Sequence, residues 1–412
     1  MSSKRIVLAT SPAPEMAPLS TDEKRFPLGI GFLISILEKA GHQVWFFDDY
    51  LRPTGFEKSD FLSRNRIQFV GLYISTVSYS PALGVLNRLQ ELRRSGKWNG
   101  KIMVGGPHVS LRPDTIPEFV DHLVIGEGET AVLDIVDNGA RSRVVTHEPI
   151  RDLDSLPMPA YERFQDDAYN LTVNKVAEHP VYTMNTSRGC PYLCTFCSVG
   201  GVWGRNYRAM SAERIIEDIA RLKSRWKVKG IYFREDHFTL DKARTADFCQ
   251  RLIRSSMDMI WLAESRVDSL DSELLELMKR AGCRWLYLGC ESGSPRMLER
   301  YNKGITVEQI ESVLHACRRL DIKTYASFIV GTPGETEADR KATEELVRRT
   351  RPDIFGYNVF VGLPGSPLYD DMIRSGEYDH LGADGIAYIK GHDDFVRTYY
   401  GDSYHQFLIP RD

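Results

Sequence analysis

Residues 187–198 read SRGCPYLCTFCS, so this short stretch holds three of the 7 cysteines in a chain of 412 residues. Cysteines at positions i, i+4 and i+7 would share one face of a helix, where a free thiol is a good small core residue. Gly189 and Pro191 flank the first cysteine, however, and both oppose a regular helix there. The pattern therefore predicts a loop that presents three thiols together. The three residues are Cys190, Cys194 and Cys197.

The composition around this loop is that of an ordinary globular protein with room for two domains. Apolar residues make up 42% and the net charge is −3, so bulk electrostatic binding of nucleic acid or of anionic lipid is not expected. No apolar run approaches the roughly 20 residues that span a bilayer, and the start MSSKRIVLATSP is too short for a secretory core. We therefore expect a cytoplasmic protein. Clustered cysteines in that reducing compartment favour metal binding or catalysis over disulfides.

The first third of the chain alternates short apolar runs with amphipathic stretches. PLGIGFLISILEKAGHQ (27–43) reads as a helix that starts at Pro27 and ends at Gly41. Strands alternating with helices predict a parallel, doubly wound α/β sheet, so we expect a Rossmann-like domain over residues 1–145. A proline-bearing linker follows over 146–178. The strand candidates are KRIVLAT (4–10), VWFFDD (44–49), FVGLYIS (69–75), KIMVGG (101–106) and HLVIGEG (122–128).

A second alternating series begins near Val181. Its six strand–helix units fall short of the eight in a closed barrel, so they predict an open, partial (β/α)6 TIM-type barrel over residues 179–375. Residues 376–412 then form a C-terminal extension. The strand candidates are VYTMNT (181–186), KGIYFRE (229–235), MIWLAE (259–264), RWLYLGC (284–290), KTYASFIVG (323–331) and DIFGYNVFVG (353–362).

The chemically reactive residues of the second series fall at the ends of its strands. Active sites of such barrels lie at the carboxyl ends of the strands, so we expect these residues to meet in one place. After the cysteines, which follow the first strand, they are Glu235 and Asp236, Glu264 and Arg266, Glu291, and Gly331.

Three thiols without a nearby histidine restrict the kind of metal site. Thiolates are soft ligands that suit zinc or iron–sulfur clusters. A structural zinc site requires four closed ligands, and a [4Fe–4S] cluster normally takes four cysteines. Three cysteines would leave one iron atom open to an outside ligand. The other four cysteines are spaced singly within apolar elements and are expected in the core: Cys249, Cys283, Cys290 and Cys317.

The spacing C-x3-C-x2-C in SRGCPYLCTFC closely resembles the cluster loop of the radical S-adenosylmethionine (SAM) enzymes. This resemblance implies that Cys190, Cys194 and Cys197 bind a [4Fe–4S] cluster and that its open iron binds the amino and carboxylate groups of SAM. It further implies that an electron from the cluster cleaves the sulfonium and yields a 5′-deoxyadenosyl radical. Such an enzyme would also need a reducing partner such as flavodoxin or ferredoxin.

The resemblance continues over roughly residues 180–375. FREDHFTLD (233–241) is similar to the acidic motif that accepts hydrogen bonds from the SAM amino group. ESRVDSL (264–270) and LGCESGSPRMLERYNKGIT (288–306) resemble segments that contact the SAM carboxylate and ribose, and FIVGTPGET (328–336) resembles the segment along the adenine. The implied SAM-binding residues are Phe196, Glu235, Asp236, Arg266, Glu291, Ser292, Val330 and Gly331.

Three N-terminal stretches resemble the cobalamin-binding domain fused to one large radical SAM group: STVSYSPALGVL (75–86), KIMVGGPHVSLRPD (101–114) and VIGEGET (124–130). Glycine-rich strand ends of a doubly wound sheet can cradle a flat cofactor. The domains that ligate cobalt carry D-x-H-x-x-G, whereas DDYLRPTG (48–55) has no histidine. His108 is the alternative ligand, although it can equally form a hydrogen bond near a strand end. Whether cobalamin binds, or the domain is a structural remnant, stays open.

Two reactions follow from the resemblance. In the first, the radical abstracts hydrogen from a small polar metabolite and dehydrates a 1,2-diol, as in diol dehydratases of aminoglycoside antibiotic pathways. Such a lyase needs a general acid or base, for which His237, Glu264 and Tyr357 are the candidates. The alternative is a cobalamin-dependent radical SAM methyltransferase that acts on an unactivated carbon. A non-catalytic sensor that binds zinc or a corrinoid is the third reading.

Overall fold

The computed structural model describes residues 3–14, 24–166, 168–169, 171–172 and 176–401. The predicted linker therefore lies partly outside the described residues, as does the end of the predicted extension, 402–412. Two six-stranded sheets dominate the described part, and both are parallel throughout, which confirms the predicted fold class.

The N-terminal sheet has the strand order β2-β1-β3-β4-β5-β6 and carries helices on both faces. Its central strands are buried on both sides, as the continuous apolar runs predict. Its strands are β1 (Arg5–Thr10), β2 (Gln43–Asp48), β3 (Phe69–Tyr73), β4 (Lys101–Gly105), β5 (His122–Ile125) and β6 (Val144–Thr146), and its helices are α1 (Leu28–Lys39), α2 (Phe61–Arg64), α3 (Tyr79–Arg94), α4 (Pro107–Leu111) and α5 (Gly128–Leu133).

The second sheet has the strand order β14-β13-β12-β11-β10-β7, so β7 and β14 are its two edge strands. This order is that of an open, partial barrel with six parallel strands. The strands of the second half are β7 (Val181–Met184), β8 (Ser187–Arg188), β9 (Arg208–Ala209), β10 (Gly230–Phe233), β11 (Ile260–Ser265), β12 (Cys283–Glu291), β13 (Lys323–Val330), β14 (Ile354–Val359), β15 (Val361–Gly362), β16 (His380–Leu381) and β17 (Ala387–Tyr388).

The barrel helices begin where the sequence supplies side-chain caps. Thr306 and Thr336 each accept a hydrogen bond from a backbone amide in the first turn and complete capping boxes with Gln309 and Asp339. The helices of the second half are α6 (Val199–Trp203), α7 (Ala212–Trp226), α8 (Lys242–Ser255), α9 (Ser272–Arg280), α10 (Pro295–Arg300), α11 (Val307–Arg319), α12 (Glu337–Thr350), α13 (Pro367–Ser375) and α14 (His392–Tyr400). Of these, α7, α8, α9, α11 and α12 bury apolar side chains in the core on the outer face of the sheet.

The stretch predicted as a linker contributes buried side chains to the core, although much of it is exposed. Tyr161 and Phe164 are each only 1% exposed, and the ring of Phe164 stacks on Phe26 with 5.3 Å between centroids. Phe26 also meets Tyr182 of the barrel edge at 4.8 Å. Aromatic burial of this kind is worth several kcal/mol, roughly 1.5–3 per ring. The stretch therefore fixes the N-terminal sheet against the barrel.

The region after α13 adds a small antiparallel sheet of order β15-β17-β16 and then α14, which packs on β14. The Val359 amide donates to the Tyr400 hydroxyl at 3.3 Å, so α14 covers the last barrel strand. Among the helices that the structure describes, none combines the length and the apolar character needed to cross a bilayer.

Candidate active site

The cysteine loop follows β7 and lies at the carboxyl ends of the barrel strands. Gly189 has a φ of +84°, and a Cβ atom there would lie 2.3 Å from the Asn206 carbonyl oxygen, so only glycine fits. The Thr195 amide donates to the Tyr301 carbonyl at 2.9 Å, and the Leu368 amide donates to the Thr195 carbonyl at 2.8 Å. The loop is thus tied to the segments that follow the fourth and the sixth strands.

All three thiols of the loop are free. Cys194 is buried, and Cys190 and Cys197 are half-buried. Among the described residues, no three potential ligands are placed to share a single metal ion. The thiolates of a [4Fe–4S] cluster each bind a different iron atom, so they need not converge on one point, and three soft donors on one loop fit such a cluster. The remaining cysteines are all buried: Cys249, Cys283, Cys290 and Cys317.

Arg266 follows β11 and faces the cysteine loop. Its Nη1 donates to Cys194 Sγ at 3.5 Å, and its Nε and Nη2 donate to the two carboxylate oxygens of Asp268 at 3.0 Å and 2.9 Å. The guanidinium carbon lies 3.7 Å from the centroid of the Tyr192 ring. Only 5% of Arg266 is exposed. Its contact with the SAM carboxylate stays a prediction.

Glu235 holds the start of the loop. Its carboxylate accepts hydrogen bonds from the amides of Thr186 and Ser187 and, at 2.8 Å, from the Ser187 hydroxyl. Asp236 beside it is exposed at the strand end. The predicted hydrogen bond from the SAM amino group therefore has an accessible acceptor in Asp236, while Glu235 already orders the backbone that leads to the cysteines.

Glu291 ends β12 with a φ of +63°, a left-handed conformation that is uncommon for a residue other than glycine. Lys303 Nζ donates to Glu291 Oε1 at 2.6 Å, and both side chains are less than a tenth exposed. The same ammonium lies 5.8 Å from the ring centroid of Phe196 in the cysteine loop. Lys303 thus joins two residues that the sequence assigned to the SAM site. It was itself missed, although it stands in the quoted ERYNKGIT stretch.

Three further predicted SAM-binding residues lie at the ends of β12 and β13: Ser292, Val330 and Gly331. The Ser292 hydroxyl lies 3.2 Å from that of Thr343, and Val330 is 1% exposed. The Gly331 amide donates to Glu335 Oε2 at 2.6 Å. These contacts hold the ends of β12 and β13 to α12 and the turn before it, and the role of these residues toward adenosine stays a prediction.

The structure separates the proposed acid–base residues by environment. His237 is 1% exposed, its Nε2 lies 3.0 Å from Ser269 Oγ, and burial lowers the pKa of its imidazole to about 3. The ring is enclosed by protein, so the structure gives no support to a role for His237 as acid or base, which stays a prediction. Glu264 instead faces the barrel interior and accepts a hydrogen bond from the Tyr232 hydroxyl at 2.8 Å. Burial raises the pKa of Glu264 to about 7.

Tyr357, the third acid–base candidate, lies on the helix-facing side of β14 and not on the side that faces the barrel interior. Its ring packs between Phe328 and Tyr399, at centroid distances of 6.0 Å and 5.0 Å. Its neighbour Asn358 takes the inner side and donates to Ser327 Oγ at 2.9 Å. Because side chains alternate along a strand, Tyr357 and Asn358 cannot both face the interior.

A cavity of about 400 Å³ lies between the carboxyl ends of the N-terminal strands and the barrel. Gly106 lines the cavity with a φ of +112°, and a Cβ atom there would lie 2.7 Å from the Ile74 carbonyl oxygen. A residue with a side chain would therefore be strained at this position of the cavity wall. A broad cavity with a glycine wall fits a flat corrin ring. The glycines that line it are Gly29, Gly71, Gly105, Gly106, Gly126 and Gly128.

His108 does not line this cavity. Its ring stacks on Tyr79 at 4.2 Å between centroids, and its Nε2 lies 3.0 Å from Thr115 Oγ1. It is fully buried, and burial lowers its pKa to about 4. The placement of His108 therefore gives no support to its role as a cobalt ligand, and any cobalamin in the cavity would lack a histidine from this position.

A buried ion-pair network joins the cavity to the cysteine loop. Arg188, two residues before the first cysteine, pairs with Glu127 at 3.0 Å and with Glu129 at 2.5 Å, and Arg208 pairs with Glu127 at 2.5 Å. Arg188, Glu127 and Glu129 are each less than a tenth exposed and line the cavity. The sequence singled out the GEGE stretch but not its partners, because Arg188 lies about sixty positions away in the chain.

Two family models match the chain on the two sheets described above. The model described as "Radical SAM superfamily" matches residues 184–347, and the model described as "B12 binding domain" matches residues 21–136. The first range contains the cysteine loop and four complete strands of the six-stranded barrel sheet, β10 to β13. The second contains the glycine wall and the acidic half of the ion-pair network.

Curated relatives extend over both domains. The uncharacterized methyltransferase PH0819 of Pyrococcus horikoshii is 30% identical over 371 residues, which are 85% of this chain and 79% of that protein. The anaerobic magnesium-protoporphyrin IX monomethyl ester cyclase of Cereibacter sphaeroides is 25% identical, over 84% of this chain and 60% of that protein. Hopanoid C-2 methylase of Rhodopseudomonas palustris is 26% identical, over 74% and 58%. The chain thus spans about three fifths of the latter two.

Solved structures share the fold. The cobalamin-dependent SAM radical enzyme OxsB with aqua-cobalamin bound matches with a TM-score of 0.78 at 20% identity, over 99% of this chain and 70% of that one. The radical SAM methyltransferase TsrM from Kitasatospora setae matches with a TM-score of 0.71 at 16% identity, over 91% and 75%. The chain therefore belongs to the radical SAM superfamily, whose members use a [4Fe–4S] cluster and SAM, and it joins a B12 binding domain to the radical SAM domain.

Proposed function

We propose that the protein is a cobalamin-dependent radical SAM methyltransferase that methylates an unactivated carbon of a small molecule. The combination of a radical SAM domain with a B12 binding domain supports this reading. So do the names of the relatives, among which are a methyltransferase and a hopanoid methylase. The expected diol dehydratase of antibiotic biosynthesis has no support among them.

The observation that carries the proposal is the cavity between the two sheets. Arg188, two residues before Cys190, lines it, as do Val202 and Trp203 shortly after Cys197, so the space that fits a corrin lies beside the cysteine loop. Glu127 and Glu129 hold Arg188 from the side of the B12 binding domain. A methyltransferase needs its methyl carrier and its hydrogen-abstracting site to reach the same carbon, whereas a direct dehydration needs no corrin.

The bound cofactors supply the electron for cleavage of SAM and a carrier for the methyl group. In the overall balance, one C–H bond, two molecules of SAM and two electrons give one C–CH₃ bond, S-adenosylhomocysteine, 5′-deoxyadenosine and methionine. The electrons come from outside, so we propose a reducing protein such as flavodoxin or ferredoxin as partner. The free state of all cysteines agrees with a reducing compartment such as the cytoplasm.

The barrel interior supports a polar substrate contact at Glu264. Glu264 is in register with Tyr287 of β12, which is in register with Tyr325 of β13. The rings of Tyr232 and Tyr287 stack at 5.1 Å, and those of Tyr287 and Tyr325 lie 5.5 Å apart. We propose that this carboxyl–phenol row is the floor on which the substrate rests, with Glu264 as its hydrogen-bonding partner. Methyl transfer by this balance requires no general base, so Glu264 orients the substrate.

The test is anaerobic reconstitution of the full chain with iron, sulfide and hydroxocobalamin, followed by reduction and addition of SAM. We expect about one corrinoid per chain and about one equivalent of S-adenosylhomocysteine per corrinoid before any substrate is added. A preparation without hydroxocobalamin is the control and should form no S-adenosylhomocysteine. If the active protein takes up no corrinoid, or if 5′-deoxyadenosine is formed without any S-adenosylhomocysteine, the proposal fails and a direct radical reaction takes its place.

A further inference from the structure

Arg266 is a buried cation in direct contact with a cluster ligand. Its Nη1 lies 3.5 Å from Sγ of Cys194, the most buried cysteine of the loop, and 5% of Arg266 is exposed. An ordinary surface arginine would be screened by water, but this one is enclosed by protein on the side that faces the loop.

Four contacts keep the guanidinium in place. Asp268 accepts two hydrogen bonds at 3.0 Å and 2.9 Å, the Lys303 carbonyl accepts one from Nη2, and the ring of Tyr192 lies under the guanidinium at 3.7 Å. Together with the contact to Cys194, these partners engage Nε, Nη1 and Nη2. Planar bidentate pairing of this kind is specific to arginine, and lysine cannot reproduce it.

The placement has a consequence for electron transfer. Reduction potentials of iron–sulfur clusters depend on local net charge, on hydrogen bonds to the sulfur ligands and on solvent exposure. Uptake of one electron makes the cluster more negative, so a nearby cation and an N–H donor to a thiolate favour the reduced form. A carboxylate at the same place opposes it. Arg266 and Asp268 therefore act on the cluster with opposite signs.

We propose that Arg266, opposed by Asp268, sets the reduction potential of the cluster held by Cys190, Cys194 and Cys197. Arg266 raises the potential, so that an external reductant can load the electron that SAM cleavage consumes. Asp268 keeps the guanidinium in place and limits the rise. Both are positioning residues, since they act through Cys194. The inference rests on the cluster and is independent of whether the product is a methylated compound.

The experiment is an anaerobic redox titration of the reconstituted full chain, monitored by electron paramagnetic resonance without SAM. We expect R266Q to lower the ratio of reduced to oxidised cluster at a fixed potential about tenfold. This corresponds to a decrease of about 59 mV in the midpoint potential. D268N should shift the potential in the opposite direction. R266K keeps the charge but not the fork and should fall between the wild type and R266Q.

The control is the Arg251–Asp247 pair on α8, in which Nε donates to both carboxylate oxygens at 3.0 Å and 2.9 Å and the side chains are 37% and 43% exposed. R251Q and D247N should leave the potential unchanged. Iron and sulfide content are measured for every variant. If R266Q and D268N carry a full cluster and retain the wild-type potential, or shift it in the same direction, the proposal is overturned. If R266Q fails to hold a cluster, R266K and D268N test the proposal: R266K should lower the midpoint potential and D268N should raise it. Equal or unchanged potentials in these two variants would overturn it.

Discussion

The two parallel sheets turn different surfaces toward the space between them. The N-terminal strands end in glycines such as Gly106 and Gly126, which leave room for a broad ligand. The barrel strands end in charged residues, of which Glu235, Arg266 and Glu291 fix the cysteine loop or its surroundings. The ends of the N-terminal strands therefore determine the shape of the space, and the ends of the barrel strands determine its charge. Substitutions on the glycine side should impair corrinoid binding, whereas those on the charged side should affect the cluster.

The largest expected effect is on the charged side, in the cysteine loop. Cys194→Ala removes one of three cluster ligands, so the iron content should collapse and 5′-deoxyadenosine formation should fall below detection. Cys317→Ala in α11 is the control, since that thiol is also buried but lies in the core. It should keep the cluster and lose only about 1 kcal/mol of stability. Iron analysis of both variants checks this, and a full cluster in Cys194→Ala would contradict the assignment.

The next effect concerns the connection between the two sides. Arg188→Met leaves Glu129 buried without its partner, while Glu127 keeps only Arg208, and this should cost about 3–5 kcal/mol of unfolding free energy. Arg88→Met, which breaks an exposed pair with Glu91, should cost less than about 1 kcal/mol. Urea unfolding of the apoprotein measures both. Equal losses would mean that the buried network does not join the domains.

On the glycine side, Gly106→Ala should impair corrinoid binding. The new Cβ atom would lie 2.7 Å from the Ile74 carbonyl in a backbone conformation that L-residues avoid, at a cost of about 1–3 kcal/mol. Corrinoid uptake should fall by about tenfold while the iron content is retained. Gly96→Ala also has a positive φ but meets open space, so it serves as the control. If both variants take up corrinoid equally, the glycine wall is not the corrin site.

The smallest expected effect is the pH dependence at Glu264. Burial raises its folded-state pKa from 4.5 to about 7, so the folded protein binds more protons than the unfolded chain between these values. Its contribution to stability is therefore fully present below about pH 4.5 and is lost as the pH rises toward 7, with a slope of at most about 1.4 kcal/mol per pH unit. Glu264→Gln should remove this slope in urea unfolding measured from pH 5 to 8. An unchanged slope would show that Glu264 is freely solvated.

Local sequence patterns predicted most of the fold. The order of strands and helices follows from apolar periodicity, and the cysteine loop follows from spacing alone. The exceptions have identifiable reasons. β6 (Val144–Thr146) was not predicted because three residues are too few for a pattern. The stretch around Tyr161 and Phe164 lacks periodicity, yet its aromatic rings are buried, because irregular backbone can still pack side chains.

For the site, too, features set by neighbouring residues could be predicted, whereas contacts between residues distant in the chain could not. Strand ends could be recognised in sequence, but the partners of their side chains could not, as the pairing of Arg188 with Glu129 shows. The error at Tyr357 has a different origin. Each face of β14 mixes apolar and polar or small residues, and no residue of the strand is fully buried, so its sequence does not set the phase of the alternation. Lys303 was missed because it follows a helix rather than a strand.

The central claim is that the proposed corrinoid and the cluster lie in adjoining sites, the first at the glycine wall and the second at the cysteine loop. The most direct measurement is electron paramagnetic resonance of the reconstituted full chain with both centres reduced to paramagnetic states. Two spins in adjoining sites broaden each other's signals, so the doubly loaded protein should differ from the sum of singly loaded samples. A spectrum equal to that sum would place the two centres apart and contradict the account.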